Sequence, residues 1–570
     1  MSADEASSSR RLPPPGPPAS RPAYPRKRAA QACRTCRRRR VKCDNERPSC
    51  TACMMLEVQC MYQEGDKSSF DAASLAILNR LDDLESLVRA VNPEALARLQ
   101  GEAAAPQTPG NVVPLAEPVS SDVYRINIEA VLEWPILRCS FPAPPPPLAS
   151  ILQASRSNPS LSRPRLLSTS DLDPDSTAPL LQSFVDNFHI YNPVFEIPEI
   201  EECVKTTLYN GLGWDVTSCI SLLVFALGTI AIGDDNASST SAFRRSTRFQ
   251  DAESFFVAAQ RRMGQLLCNS GLEEAHAFFL AGVYLMSTMR PFEAWRMFVQ
   301  ALACCQIFES SSFDDEHNSE LQLHKRIYWT AFKSELELRL ELGITENSTW
   351  SLRYPQFFPA PPKGLQSAGE EGWYFYLAEI ALRRLGNRIL THTSHFKSPE
   401  TTVADKLSRI LELEQQAQDW IYSLPPALKL DRPIGQAADS QGERLRFILN
   451  GHLIDCYEMM YWPFVVDMVH RRLPEDTDCV MFARKGFQMC VKRIEENEAG
   501  FHLRHHGTWL MLRSCTRSAL VLAAASRAGL DAMLPPNWKS SIAKVIHLLQ
   551  YWKDEALDVA SRLEWLEALV

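Results

Sequence analysis

Residues 33–43 read CRTCRRRRVKC and residues 50–60 read CTACMMLEVQC. Both are C-x2-C-x6-C. They differ in the six-residue gap, which is crowded with arginine in the first copy and apolar with a single acid in the second. The reading of this stretch decides the fold and separates an N-terminal module from the rest of the 570 residues.

The other ten cysteines are scattered through apolar surroundings, whereas these six fall within 28 residues. The first 25 residues are rich in Ser, Pro and Arg, with no apolar run of the kind that opens a secreted chain. The chain is therefore expected to be intracellular, with its cysteines reduced. Under those conditions C-x2-C pairs read first as zinc ligands. A structural zinc takes four ligands, and no histidine lies between Cys33 and Cys60. Six thiolates serve two zinc ions if two of them bridge. The repeated frame makes Cys33 and Cys50 the natural bridges. Cys36 and Cys43 then complete one site, and Cys53 and Cys60 the other. A disulfide knot or a redox C-x-x-C is the lesser reading, because the 2-6-6-2-6 spacing is complete.

Outward from the frame, the charge is uneven. From Arg21 to Arg47 there are eleven Arg or Lys against Asp44 and Glu46, a local +9 in a chain of net −8, which leaves −17 elsewhere. A basic block on an acidic body suits a polyanion partner.

The cysteine frame resembles the fungal binuclear zinc-cluster transcription factors, and Pro48 matches the proline of that family's connecting loop. The resemblance implies a module over residues 29–62 with two zinc ions, bound to double-stranded DNA. Only one helix can enter the groove. The expectation is that each six-residue gap forms a helix, that RRRRVK meets DNA, and that Met54, Met55, Leu56 and Val58 pack on the metal core. By position, Arg39 and Arg40 are the base-reading candidates, Arg40 foremost. Arg34, Arg37 and Lys42 are assigned to phosphate, and Arg38 belongs to the same DNA-facing set. The family usually carries lysine at its base-reading positions and prefers CGG triplets. PRKRAA, residues 25–30, reads as a nuclear import signal or a backbone-binding arm within a disordered basic tail, residues 1–28.

After a polar linker, Phe70, Ser74, Ile77, Leu81, Leu84, Val88 and Val91 keep a 4-3 spacing that Pro93 stops. Residues 63–93 thus read as linker and short coiled coil. Homodimerisation would run through Ile77, Leu81, Leu84, Val88 and Val91; the alternative is a helix packed on its own chain. Residues 94–177, with a proline run at Pro142–Pro147, read as mostly flexible linker.

Residues 178–570 carry helical apolar spacing with few strand signals, and predict a large all-α domain. Its longest apolar run, LLVFALGTIAI at residues 222–232, is short of the roughly 20 residues of a membrane span, so no membrane is expected. Three segments resemble the middle homology, or regulatory, domain of the same fungal factors: RPFEAW at 290–295, RIYWTAFKSELELRLELG at 326–343 and LAEIALRRLGNRI at 377–389. Where many members read Gly-Arg-Pro, this chain has Gly343, Ile344 and Thr345, a variant that resembles pathway regulators of secondary metabolism.

No phosphate loop, G-x-S-x-G or H-E-x-x-H occurs, so no enzyme is expected. His502, His505 and His506 could hold a metal, but solvated or capping roles are the simpler reading. Cys304 and Cys305 read as helix packing rather than a redox sensor. The last twenty residues, YWKDEALDVASRLEWLEALV, have net charge −3 and read either as the domain's last helix or as an acidic activation segment for coactivators. The leading expectation is thus a nuclear RNA polymerase II-type activator of a fungal biosynthetic gene cluster. The rival is a ligand receptor or enzyme-like helical domain with DNA binding secondary, with room for a small-molecule effector. A pocket of convergent polar groups in residues 180–570 would favour that rival.

Overall fold

The computed structural model describes residues 33–43, 49–56, 58–60, 124–141, 146–156, 167, 172–231, 240–306, 319–344, 358–361, 367–396, 401–432, 440–472 and 478–569. The chain divides into two units, Met1–Leu115 and Ala116–Val570. The heptad residues Ile77, Leu81, Leu84, Val88 and Val91, and the PRKRAA stretch, lie outside the described residues. Among the described residues there is no strand.

In the first unit, α1 (Arg34–Arg39) and α2 (Thr51–Met54) each begin directly after the first cysteine of a copy. This corrects the expectation that the six-residue gap is the helix. Two thiols aimed at one metal from positions i and i+3 already lie on one face of a helical turn. The turn therefore forms across C-x2-C, and the rest of the gap must reverse to return the third cysteine.

The second unit opens with α3 (Ile128–Leu132) and α4 (Pro135–Arg138). The Asn127 side chain caps α3, accepting from the Ala130 N–H at 2.9 Å. Ile128, Val131, Trp134 and Leu137 are wholly buried. This corrects the reading of residues 94–177 as linker: residues 124–141 belong to the helical core. Two helices of five and four residues are too short to show a periodicity.

There follow α5 (Leu148–Arg156), α6 (Pro174–Phe184), α7 (Ile197–Asn210), α8 (Val216–Ala231), α9 (Thr240–Arg245), α10 (Thr247–Leu266), α11 (Leu272–Ser287) and α12 (Pro291–Cys305). Leu222–Ala231 of the apolar run that is too short for a membrane lies in α8, whose residues from Ser218 to Ile230 are all buried. A helix apolar on every face belongs inside a large core, and α8 packs against α6, α7, α10 and α11. Gly228 permits the closest of these approaches, because a Cβ there would stand 2.0 Å from the Leu180 carbonyl oxygen. No helix among the described residues is long and apolar enough to cross a membrane.

The remaining helices are α13 (Ser319–Glu341), α14 (Ser367–His395), α15 (Val403–Ser423), α16 (Gln441–Val469), α17 (Asp478–Asn497), α18 (Thr508–Arg527), α19 (Trp538–Trp552) and α20 (Leu557–Leu569). Thr402 with Asp405 and Ser440 with Glu443 form capping boxes that start α15 and α16. α16 packs on α14 and α17, and α18 on α17, α19 and α3.

A chain of buried ion pairs ties these helices together. Lys333 on α13 pairs with Glu379 on α14. Glu458 on α16 takes Arg493 of α17 at 2.9 Å and Arg517 of α18 at 2.7 Å. Arg513 pairs with Glu341 and with Glu129 of α3, which fastens the opening helices to α18.

Candidate metal centre and nucleic-acid interface

The first unit is two near-repeats facing one knot of sulfur. In each copy the N–H of the first cysteine points to the Sγ of the third, Cys33 to Cys43 at 3.5 Å and Cys50 to Cys60 at 3.4 Å. In each copy the backbone turns back through one bond, Val41 N–H to Cys36 O at 3.2 Å and Val58 N–H to Cys53 O at 3.1 Å. The Thr35 hydroxyl joins the copies by donating to the Gln59 carbonyl at 2.8 Å.

Cys33, Cys36, Cys50 and Cys53 are buried. The Sγ atoms of Cys33, Cys36, Cys43 and Cys50 lie within 4.8 Å of one another, and so do those of Cys33, Cys50, Cys53 and Cys60. Cys33 and Cys50 belong to both sets. Four thiolates around one zinc, each about 2.3 Å from it, stand about 3.8 Å apart. Cys33 and Cys50 are 3.7 Å apart, Cys36 and Cys50 3.6 Å, and Cys33 and Cys53 3.6 Å. The donor set therefore fits two zinc ions.

Without a cation, burial would keep the protons on Cys33, Cys36 and Cys50. Burial pushes Cys33 up to about 12 and raises Cys36 and Cys50 as well. Cys60 is drawn down to about 7, chiefly because its sulfur accepts the Cys50 backbone N–H. A doubly charged soft metal reverses this preference, since its ligands bind as thiolates.

Helix α1 ends at Arg40, which takes a left-handed backbone at φ +58°. With the bond from Val41 N–H to Cys36 O, this is a Schellman cap, usually a glycine position. The chain holds an arginine there instead. Arg38, Arg39, Arg40 and Lys42 are all exposed, while Arg34 and Arg37 also lie on α1. Four exposed cations thus fall within five residues at the end of α1.

The second copy differs from expectation. Met54, Met55, Leu56 and Val58 are 58, 82, 50 and 37 % exposed, not packed on the metal core. Among the described residues of this unit the buried cluster is Cys33, Cys36, Cys50 and Cys53.

His502, His505 and His506 have different surroundings. His502 is exposed and meets the Tyr551 ring edge-on at 4.4 Å. His505 and His506 line a cavity in the second unit instead. Cys304 and Cys305 are buried without a disulfide, and burial pushes Cys304 up to about 11. Sequence reasoning missed this cavity, which has a volume of about 230 Å³ and is walled by α11 to α14, α16 to α18 and the turn before α18. Glu337, His452 and Asp455 also come within ligand distance of one another there. The cation among them is a guanidinium: Arg383 donates to Glu337 at 3.0 Å and lies 3.2 Å from His452 Nε2. A metal would have to displace it.

Residues 31–69 match the fungal Zn(2)-Cys(6) binuclear cluster domain, which carries two zinc ions. Over a longer span the chain is 24 % identical to ecdB of Aspergillus rugulosus, named as a transcription factor, across 78 % of this chain and 80 % of that protein. An uncharacterized transcriptional regulatory protein of Schizosaccharomyces pombe is 20 % identical across 71 % of this chain and 58 % of its own length. Transcription factor FBD3 of Fusarium pseudograminearum is 44 % identical, but over 8 % of this chain and 6 % of its own.

Proposed function

We propose that this chain, with its fungal Zn(2)-Cys(6) binuclear cluster domain, is a DNA-binding transcription regulator that reads CGG-like half-sites and activates a biosynthetic gene cluster in the nucleus. The observation that carries the reading is the pairing of a six-thiol frame, duplicated in space as in sequence, with exposed cations on the first copy alone. Zinc binding supplies the folding energy of so small a unit. The metal-held turn then presents arginine side chains at a fixed spacing. Arg40, at the end of α1, is the reader: a guanidinium fork matches guanine O6 and N7 in the major groove. Lys42 and its neighbours hold phosphate, which sets register without reading sequence.

The remaining parts of the proposal rest on sequence. The heptad from Ile77 to Val91 would join two copies, so that two half-sites are read together. Similarity to two regulatory proteins across most of the chain supports transcriptional control as the output. The variant at Gly343–Thr345 supports a secondary-metabolite pathway, and recruited coactivators would be the route to activation. The exposed sulfur-free cations, not a catalytic group, are the working surface of the first unit.

The test is anisotropy of the full, zinc-loaded chain on labelled duplexes. A CGG-containing duplex should bind more tightly than a scrambled one at equal salt. Equal affinity for both at every salt concentration would refute sequence reading.

A further inference from the structure

The cavity of the helical unit is built for something. On one side it is lined by aromatic and aliphatic side chains, among them Phe279, Phe298, Trp329 and Phe332. On the other its charges are already satisfied in place. Lys333 is paired with Glu379, Arg383 with Glu337, and Arg493 with Asp455. Arg517 faces Glu341 at 3.8 Å and Glu458 at 2.7 Å. The eight charged residues that line the cavity are four cations and four anions. A charged guest would lose its water and find no unpaired counter-charge.

Three lining groups are left without partners: the Nε of Arg383, whose charge Glu337 already counters, and two neutral atoms. Asn192 is 7 % exposed, lines the cavity, and its Oδ1 has no hydrogen-bond partner among the described residues. His505 accepts the Gly507 N–H at its Nδ1 at 3.0 Å, which puts the proton of the neutral ring on Nε2. That Nε2 is buried and also unpartnered. His506 makes ring contacts with Tyr191 at 5.5 Å and with His505 at 6.0 Å, and no hydrogen bond among the described residues. An unpaired buried polar atom is costly, and here an acceptor and a donor belong to residues that line the same space.

Gly386 contributes no side chain to the lining. It lies within the 29-residue α14. A Cβ there would meet Met459 Cε at 3.4 Å and Cys456 Sγ at 3.9 Å, which is ordinary contact. Close packing of α14 on α16 therefore does not require glycine, although glycine in a helix interior costs about 1 kcal/mol relative to alanine. A cavity of about 150 Å³ already holds benzene in another protein; this one is about 230 Å³.

We propose that this cavity is a binding site for an uncharged, mainly apolar small molecule that carries a hydroxyl or carbonyl group. The apolar body fills the aromatic side, and the polar group completes Asn192 Oδ1 or His505 Nε2. This site is independent of the DNA reading: it stands on the second unit alone.

The test uses the full, zinc-loaded chain and three probes of one shape: 2-naphthol, naphthalene and 2-naphthoate. Titration calorimetry or probe fluorescence should show one saturable 2-naphthol site per chain. Naphthalene and naphthoate should bind about tenfold more weakly or worse. Gly386→Leu should abolish 2-naphthol binding with the unfolding temperature kept, while Gly386→Ala should bind. Asn192→Ala should reduce affinity for 2-naphthol and leave that for naphthalene. If Gly386→Leu fails to fold, hydrogen exchange on the unaltered chain decides: 2-naphthol should protect α14 and α16 around Gly386 and Gly451. No saturable 2-naphthol binding, protection confined elsewhere, unchanged binding by folded Gly386→Leu, or naphthoate bound as tightly as naphthol would each overturn the proposal.

Discussion

The Sγ atoms of Cys33 and Cys50 stand 3.7 Å apart, and each belongs to both four-thiol sets of the first unit. They are the first cysteines of the two copies, so the duplication in sequence becomes a shared edge between two metal sites. With two zinc ions bound, removing either thiol would take a ligand from both.

Metal analysis of the full chain should therefore give two zinc ions. Cys33→Ala or Cys50→Ala should lose both and unfold the module. Cys43→Ala or Cys60→Ala, each in one set alone, should keep the other metal better. One zinc per native chain would refute the shared edge.

Arg40 combines a strained backbone with the proposed base-reading side chain. Arg40→Ala should lower discrimination for a CGG triplet by about 1–3 kcal/mol. Arg40→Gly should lose the same discrimination yet resist unfolding better than Arg40→Ala, by roughly 1 kcal/mol, because glycine accepts a left-handed backbone freely. Lys42→Ala should weaken binding to all duplexes alike and flatten its salt dependence. Uniform weakening by both substitutions would remove Arg40 as the reader.

Glu458 sits between Arg493 and Arg517, and all three are buried. Glu458→Ala takes the shared carboxylate from two buried guanidinium groups, leaving Arg493 with Asp455 alone and Arg517 with Glu341 at 3.8 Å. The loss in denaturant stability should be roughly 3–5 kcal/mol, the usual result of breaking a buried pair from one side. A loss below about 1 kcal/mol, the value of a surface pair, would contradict the burial described.

Acid should destabilise the helical unit before its carboxylates titrate. Burial lowers His189 to about 4 and His276 to about 3, against about 6.5 in an unfolded chain. Between those values the unfolded chain binds protons that the folded one refuses, so stability is complete above about 6.5 and falls with pH below it. Each histidine should cost about 2 kcal/mol between pH 7 and pH 5. Glu379, held down to about 2 against its burial by Lys333 first, adds its own loss at lower pH. Denaturation midpoints that stay level from pH 7 to pH 5 would refute this.

The C-terminal stripe is in the core. Trp552, Val559, Leu563 and Leu566 are buried, and Asp558 accepts from Trp509 Nε1 at 2.9 Å while paired with Arg562. Residues 545–570 fused to a foreign DNA-binding domain should leave a reporter silent, and their deletion should cost solubility. An active fusion, silenced by Trp565→Ala with Leu566→Ala, would restore the activation reading.

The sequence by itself determined the metal frame, the place of the charge and the helical class. Thiol spacing and apolar period are local, and each is written in a few adjacent residues. Its errors came where a short segment is settled by distant partners. Trp134 was read within a linker because its place in the core depends on neighbours such as Trp462, whose ring lies 5.7 Å away. Met54, Met55, Leu56 and Val58 were read as core because apolar residues usually are, yet the buried cluster among the described residues of that unit is four thiols and these side chains stay exposed. The tertiary structure alone decided the turn at Arg40, the ion chain through Glu458 and the cavity. Asn192, Gly386 and His505 are separated by more than a hundred residues in part and share no motif. Only the packing of α14 on α16, and of the turn before α18 beside them, brings an unpaired acceptor, an empty helix position and an unpaired donor around one space.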